Sequence, residues 1–471
     1  MSAADPLSVL GRLAGQAWLV GGAVRDELLD RATEDFDVVV EGDLRELARA
    51  LGRATDAHSF ALSEAFGAWR VIARDRAWRV DLTPLMGGSL GDDLARRDLT
   101  INAMARKIGD PQLIDPHGGL GDLRARQLRM VSDRSFRDDP LRVMRLTRLA
   151  IELDFAIDSP TRDAAAAAAS GLSDVAGERT FAELRQIVAG RRALAGLRLL
   201  EATGAMGVVL PELLALRGVQ QSDYHHLDVH DHTLDVLERT IALTSDPNAL
   251  FPELATQISA VLAEPLADEL TRGQAMRFGA LFHDLAKSST RRVTGEGRVT
   301  FIGHDAVGAD LAVEVLSRLR ASDRLASHVA ALARHHLRLG FLVHERPLSR
   351  TAVYGYLRAT EPVGVDVTLL STADRLATRG RNAELAIERH LEVAAEMLPE
   401  ALRWRAQPPR PPIRGDQLAE ALSISPGPEL GRWLEELTQA AFAGQVRSQE
   451  EAVAWARNQR SAAGATGGPD R

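Results

Sequence analysis

Between residues 15 and 85, short apolar runs alternate with turn-forming residues. Residues 17–21 and 36–41 are apolar runs bounded by such residues, which predicts two strands. Residues 69–73 ("WRVIA") and 78–83 ("WRVDLT") alternate apolar and polar positions on either side of "RDRA", which predicts two further strands joined as a hairpin. Apolar positions at helical spacing fill 23–30 and 43–52. From about residue 120 the strand signal stops, and Leu, Ala and Arg recur at helical spacing almost to the end. The alanine run at 164–169 is strong helix former by propensity alone. "QPPRPP" (Gln407 to Pro412) predicts a stiff extended linker, then a short helical module, then a disordered Gly-rich tail from about Ser461. No repeat of fixed period is present. The pattern predicts an α/β head with a mixed sheet, followed by an all-α remainder.

Composition narrows this picture. At 471 residues the chain exceeds what one core ordinarily organises, so two to four domains are expected. With 45% hydrophobic and 26% charged residues it is a globular chain rather than a disordered one. It has no cysteine, which excludes disulfides, zinc–thiolate sites and thiol nucleophiles. The start, "MSAADPLSVLGRLAG", lacks the basic and apolar regions of a signal peptide, and no apolar run is long enough for a membrane span. The cytoplasm is the expected compartment and no membrane partner is expected. A net charge of −8 argues against a protein that coats nucleic acid, so any such contact must be local. Residues 120–149 offer one: eight arginines against four acids. A solvated helical face is the plain alternative.

The stretch "WLVGGAVRDELLDRATEDFDVVV" (Trp18 to Val40) concentrates the first chemistry. Residues i and i+2 of a strand share a face, so Asp35 and Asp37 would stand side by side. Two carboxylates held together repel unless cations lie between them, and nucleoside triphosphates bring Mg²⁺. Asp81, on a neighbouring expected strand, would supply a third carboxylate. Gly21 and Gly22 follow a strand and open a helix, where bare backbone N–H groups can meet a phosphate, and Arg25 could add a charged fork. A glycine turn with a surface Arg–Asp pair is the bland account. In "RRDLTINAMA" (Arg96 to Ala105), Asp98 or Thr100 could cap an apolar helix. The functional account instead gives Arg97 a phosphate, and Asp98 and Asn102 the ribose hydroxyls.

The motifs "VGGAVRD", "DFD", "RRDLTINAMA", "DPHGGLGDL" and "DDPLRVMRLTRL", in this order and spacing through roughly residues 15–200, resemble those of class II tRNA nucleotidyltransferases and the related bacterial poly(A) polymerases. The resemblance implies that the aspartate pair holds two metal ions, that the Arg–Asp motif grips ribose and phosphate, and that an Asp-x-x-Arg pair on a helix acts as a protein template for the incoming base. Asp139 and Arg142 are that pair here. Three residues apart, they would share a helix face. A carboxylate only accepts hydrogen bonds and a guanidinium only donates them. Together they match an amino group beside an unprotonated ring nitrogen, the pairing edge of cytosine and adenine but not of uracil or guanine. Arg145 continues the same face and could support base or phosphates; a helix salt bridge is the alternative. Two departures matter. Asp138 stands where the family usually has Glu. The segment "LTPLMGGSLG" is also short, where enzymes that add a full CCA tail usually carry a longer flexible loop. That favours an enzyme adding only C.

Beyond residue 220 the histidines cluster, in "YHHLDVHDHTLDVL", "LFHDLAK", "FIGHDAVGAD" and "ARHHLRL", with "STADR" after them. A His–Asp dipeptide inside the apolar "RFGALFHDLAK" needs compensation when buried. Imidazoles and carboxylates converging from separate helices make a hydrolytic metal site. The arrangement resembles the HD phosphohydrolase superfamily. That implies His232, His283, Asp284 and Asp374 as ligands, with His226 and His230 as rivals for the first place. His304, with His335 or His336, is the candidate for a second ion, and the HD metal would be Ni²⁺, Mn²⁺ or Mg²⁺. Phosphatase and cyclic phosphodiesterase activities follow from the resemblance; a helical body kept for shape and RNA docking is the alternative. The final module, containing "SPGPELG", resembles the C-terminal tail module of the same enzymes.

The expected organisation is a nucleotidyltransferase head (1–119), a helical neck (120–215), an HD domain (216–406) and a tail module (413–460). The expected activity is template-independent addition of CCA, or part of it, to tRNA from CTP and ATP, with no DNA partner. Three other readings stay open: a C-only enzyme, a poly(A) polymerase sharing every head motif, and an HD phosphohydrolase whose head merely binds RNA. Intact Asp35 and Asp37 oppose the last.

Overall fold

The computed structural model describes residues 5–63, 67–222, 225–380 and 382–466. The chain packs as two compact units, residues 1–209 and 210–471. The expected head and all but the last six residues of the expected neck thus fall in the first unit, and the expected HD domain and tail in the second.

The first unit is organised by a seven-stranded mixed sheet. In chain order its strands are β1 (Gln16–Val20), β2 (Asp35–Glu41), β3 (His58–Ser63), β4 (Ala68–Ile72), β5 (Arg79–Pro84), β6 (Ala105–Lys107) and β7 (Leu113–Ile114). Across the sheet they run β3-β4-β5-β2-β1-β6-β7. Only β2 and β5 pair in parallel; every other neighbour is antiparallel. The expected hairpin is β4–β5, turned at Arg76 in the left-handed region (φ 61°). On one face Val71, Val80 and Leu82 are fully buried; the helix Leu44–Thr55, with Leu47, Ala48 and Leu51 buried, packs against β3, β4 and β5. Each such burial is worth about 1.5–3 kcal/mol, which fixes the register because a one-residue slip would turn the valines to solvent. The opposite face carries Asp35, Asp37 and Asp81.

The strand at 58–63 and the short β6 and β7 lie outside the expected set. "HSFALS" has polar and small residues where a strand pattern wants apolar ones, and it reads as loop without its partner. Expected strands also end too early at residue 120: Gln127–Leu128 pairs with Ala156–Ile157, and two further short pairs lie in the second unit. Pairings this short leave no periodic trace. The helix after Arg97–Asp98 shrinks to one 3₁₀ turn, Thr100–Asn102. Gly119 is required beside it, since a Cβ there would lie 2.2 Å from the Thr100 carbonyl oxygen.

The second unit is helical. Val229–Ser245, Arg272–Phe282, His304–Arg318, Asp323–His335 and Gly364–Ala377 surround a core that includes Phe278, Phe282, Leu316, Leu332 and Leu369. Residues 408–411 are irregular, as the proline-rich linker predicts. Gly415–Leu422, Pro428–Phe442 and Gln449–Thr466 then build their own small core around Leu418, Leu437 and Ala452. The last of these helices runs past Ser461, where the sequence predicts a disordered tail; alanines at 462, 463 and 465 favour helix over the glycines. Among the described residues no helix is long and apolar enough to cross a membrane.

Candidate functional site

The parallel pairing of β2 with β5 sets Asp37 directly beside Asp81 and Asp35 beside Arg79. Asp35 and Asp37, two apart on β2, therefore share a face with Asp81. Each outer carboxylate is held by a guanidinium fork. Arg70 Nε and Nη2 lie 2.7 Å from the two oxygens of Asp81, and Arg79 Nε lies 2.5 Å from Asp35 Oδ1. Asp37 stands between them without such a fork. Desolvation of its carboxyl by the groups packed around it raises its pKa, opposed by Arg97 and Arg145 and reinforced by Asp81 and Asp35. A bound cation would reverse that push, so the donor set fits hard divalent ions. Sequence reasoning missed both Arg70 and Arg79. The signal for one is present, because Arg79 and Asp81 are two apart on one strand and so share a face.

Gly21 follows β1 with φ at 71° and caps the seven-residue helix Gly22–Leu28. A side chain there would meet Arg97 Nη1 at 2.8 Å and Asp37 Oδ2 at 3.5 Å, so glycine is what lets Arg97 approach the carboxylates. Arg97 also reaches Asp93, at 3.2 Å. Arg25 lies buried beneath Gly22, bonded to Asp26 and, at 2.8 Å, to Asn102 Oδ1. It braces the turn and does not project into the cleft. Asn102 in turn donates to Asp98 Oδ1 at 3.1 Å. Asp98 is buried, and burial alone would favour its neutral form. Arg145 at 3.1 Å, Asn102 and the Leu99 N–H outweigh that and hold its carboxyl below the usual range.

Asp139 departs from the expected helical placement. It is extended (φ −148°, ψ 99°) and the helix begins only at Arg142, because Pro140 restricts the residue before it. Its carboxylate accepts from the Leu141 N–H and from Arg179, the latter at 3.0 Å. Arg142 is anchored to the carbonyls of Ser135 and Arg96, at 2.9 and 2.8 Å. Shared helix geometry therefore does not unite the pair; a tight turn does, with the Asp139 carbonyl oxygen accepting the Arg142 N–H.

In the second unit the ends of five helices meet. His232 Nε2 lies 3.0 Å from Asp374 Oδ1 and 3.8 Å from Asp284 Oδ2. His283 Nε2 and Lys287 Nζ approach the same Asp284 oxygen, at 3.1 and 2.7 Å. On its other oxygen, Oδ1, His304 and His336 converge at 3.3 and 3.7 Å. His283, His304 and His336 each place Nδ1 2.7–2.8 Å from the carbonyl three residues back. That bond fixes a proton on Nδ1 and aims Nε2 inward. His304 and His336 then face each other through Nε2 at 3.4 Å. Burial first, and His283 next, push His336 down to about 4, so it is a neutral donor. His283 Nε2 and Asp284 Oδ1 are buried with no hydrogen-bond partner. Orphaned donors of this kind fit metal ions. Three groups of ligand atoms emerge among the described residues: His232–His283–Asp374 and Asp284–His304–His336 in this cluster, and the more exposed Asp228–His230–Asp231.

His335 is not brought to this cluster. It caps the end of its helix from outside, accepting from Arg338 at 2.9 Å, and its neighbour His336 turns inward instead. One residue is 100° of helix, a difference that doublet histidines do not reveal. His230 bonds Asp231 and joins the group with Asp228 and not the His232–His283–Asp374 group, and His226 belongs to none of the three. Lys287, three residues beyond Asp284, also escapes a reading by residue type alone.

Three family models match: the poly A polymerase head domain over residues 17–129, the probable RNA and SrmB-binding site of polymerase A over 154–216, and the HD domain over 229–379. The chain is 35% identical to a CC-adding tRNA nucleotidyltransferase of Thermus thermophilus, covering 96% of both. It is 33% identical to an A-adding tRNA nucleotidyltransferase of Deinococcus radiodurans, over 93% of this chain and 94% of that one. The chain belongs to the class II tRNA nucleotidyltransferase family. Membership makes the chain an enzyme with an HD domain, and nucleotidyltransferase and HD domains are metal-dependent. A Thermotoga maritima CCA-adding enzyme solved with tRNA shares the fold at a TM-score of 0.61, with 21% identity over 97% of each chain.

Proposed function

We propose that this enzyme extends the 3′ end of tRNA with C, and with A where the site admits it, from CTP and ATP without a nucleic-acid template. The observation that carries the reading is the register of Asp37 with Asp81 and of Asp35 with Arg79, which gathers three carboxylates on one open sheet face. Asp35, Asp37 and Asp81 would hold Mg²⁺, which supplies charge neutralisation for the triphosphate and for the attacking 3′ oxygen. The chain's own groups do the rest. Arg70 and Arg79 keep two of the carboxylates oriented. Arg97, admitted by Gly21, meets phosphate. The Asp98–Asn102–Arg25 chain of hydrogen bonds positions a ribose site, and Asp139 and Arg142 read the base. The CCA-adding, CC-adding and A-adding relatives support this substrate class.

A second reading has its own observation. Only five residues, Leu85 to Ser89, link β5 to the helix Leu90–Ala95. Family enzymes that add a full tail usually carry a longer loop there, so this connection favours addition of C alone.

The HD unit is proposed as a phosphohydrolase acting on a phosphomonoester or 2′,3′-cyclic phosphate. His232, His283, Asp284 and Asp374 would hold one divalent ion, and His304 and His336 a second, sharing Asp284. Imidazole donors favour Ni²⁺ over Mg²⁺, and the carboxylates of Asp284 and Asp374 also suit Mn²⁺. The division into head, neck, HD domain and tail is part of the same proposal.

A tRNA transcript ending at its discriminator base, incubated with Mg²⁺ and CTP, ATP or both and sequenced at its 3′ end, tests the reading. A CCA end identifies the full enzyme. An end at CC identifies the C-only enzyme, and long A runs would make it a poly(A) polymerase. No extension at all refutes the head assignment.

A further inference from the structure

The catalytic face of the sheet does not stop at Asp81. Strand register carries one row of side chains from Asp37 to Asp81, to Arg70 and to Phe60, and a second from Asp35 to Arg79, Ile72 and His58. All eight lie on the face opposite the helix Leu44–Thr55. Phe60 is 45% exposed on the edge strand β3, and Leu62 beside it is 44% exposed. An aromatic ring open to water on an edge strand is a liability, because it invites association. Here it borders an open recess of about 920 Å³ lined by His58, Phe60, Ile72, Trp78 and the arginines 74, 76 and 79. Apolar rings with guanidinium groups around them, beside a row of carboxylates, form the platform on which unpaired bases stack.

Resting on the nucleotidyltransferase reading, we infer that Phe60, paired across the strands with Arg70, is a stacking site for the unpaired base that bears the reactive 3′ hydroxyl of the RNA. The spacing suits one nucleotide. Three strand intervals separate Asp37 from Phe60, about 14 Å between backbones, and the side chains at both ends shorten that gap. With the 3′ oxygen at the carboxylates, the base of the same nucleotide lies toward β4 and β3. Arg74 and Arg76 at the hairpin end of the recess then face the phosphates behind it. Stacking reads no base edge, so the site accepts any discriminator base, and accepts C after the first addition. Phe60 is a positioning residue in this scheme, since it holds the hydroxyl's nucleotide in place and touches no reacting atom.

The test crosses Phe60→Ala and Phe60→Trp with two transcripts, one intact to the discriminator position and one abasic there. Single C addition is followed under varied tRNA and varied CTP. For Phe60→Ala on intact tRNA, KM for tRNA should rise roughly tenfold, with KM for CTP unchanged and Phe60→Trp restoring the wild-type value. The abasic transcript should cost the wild type a similar factor and cost Phe60→Ala nothing further. An equal Phe60→Ala penalty on both transcripts, or none on either, overturns the inference. Failure of the wild type to extend intact tRNA would instead overturn the function on which it rests.

Discussion

On the head's sheet, Asp35 and Asp81 each face an arginine fork, while in the helical unit Asp284 faces four imidazoles and a lysine. The first set is open to solvent and its outer members are already neutralised by the protein's own fixed charge. The second is buried, with imidazole Nε2 atoms gathered around one carboxylate. A site of the first kind stays assembled between turnovers and can receive its ions together with the nucleotide. A site of the second kind is assembled from buried nitrogen and oxygen ligands, with His304 and His336 facing each other through Nε2 at 3.4 Å. Burial favours the neutral acid at Asp284, yet His283 and Lys287 hold its carboxyl well below the ordinary range, so it remains an anion ready to bind. Exposed oxygen donors suit an exchangeable hard ion, and buried imidazoles suit a resident one.

The sharpest way to break this contrast is Asp37→Ala. Nucleotide addition should fall by at least about a thousandfold, since the one carboxylate without an arginine fork is lost, while phosphomonoester hydrolysis stays at the wild-type rate. Parallel assays of tRNA extension and phosphate release check it; loss of both activities would mean that the two sites are not independent. The converse is Asp284→Ala. Hydrolysis should drop by roughly a hundredfold or more, and metal analysis should find the second unit empty, with addition intact. Added Ni²⁺ or Mn²⁺ should raise the thermal midpoint of the wild type and not of this variant. Within the same experiment His336→Ala should retain one ion of two. His335→Ala should retain both, because its ring bonds Arg338 outside the cluster.

The two sites also differ in how far the sequence discloses them. "DFD" at the mouth of a valine run locates Asp35 and Asp37 because strand periodicity is short and strict, and Asp81 follows from the next alternating run. Arg70 escapes notice although its strand is predicted, since pairing register is a tertiary property. Spacing alone puts Asp139 on a helix, and the proline after it moves it into the preceding turn. In the helical unit the residue types are legible and the choice within the His335–His336 doublet is not. A helix that ends at the doublet leaves its final rotation to packing, here the burial of Leu332 and Ala333. The strand His58–Ser63 has no pattern of its own; it exists because β4 offers it an edge.

A smaller effect separates the sites by pH. Asp98 is buried in the head, and its charge is met by Arg145. If arginine alone compensates the head's carboxylates, Arg145→Leu should destabilise the first unit by about 1–3 kcal/mol at neutral pH, and no divalent ion should restore it. Asp98 has a folded pKa below its unfolded value, so its contribution is fully present above the unfolded value near 4 and is lost as pH falls through the folded one. In Arg145→Leu the burial of this carboxyl is opposed by Asn102, the Leu99 N–H and Arg142 without the guanidinium closest in effect, so the folded pKa moves upward. The stability gap between wild type and variant should therefore be widest at about pH 6–8 and close as pH drops below about 4. Denaturant unfolding of the two proteins across that range reads the gap directly. A gap independent of pH would mean that Arg145 matters for its packing and not for its charge, and the head would then owe its metal-free assembly to something other than its arginines.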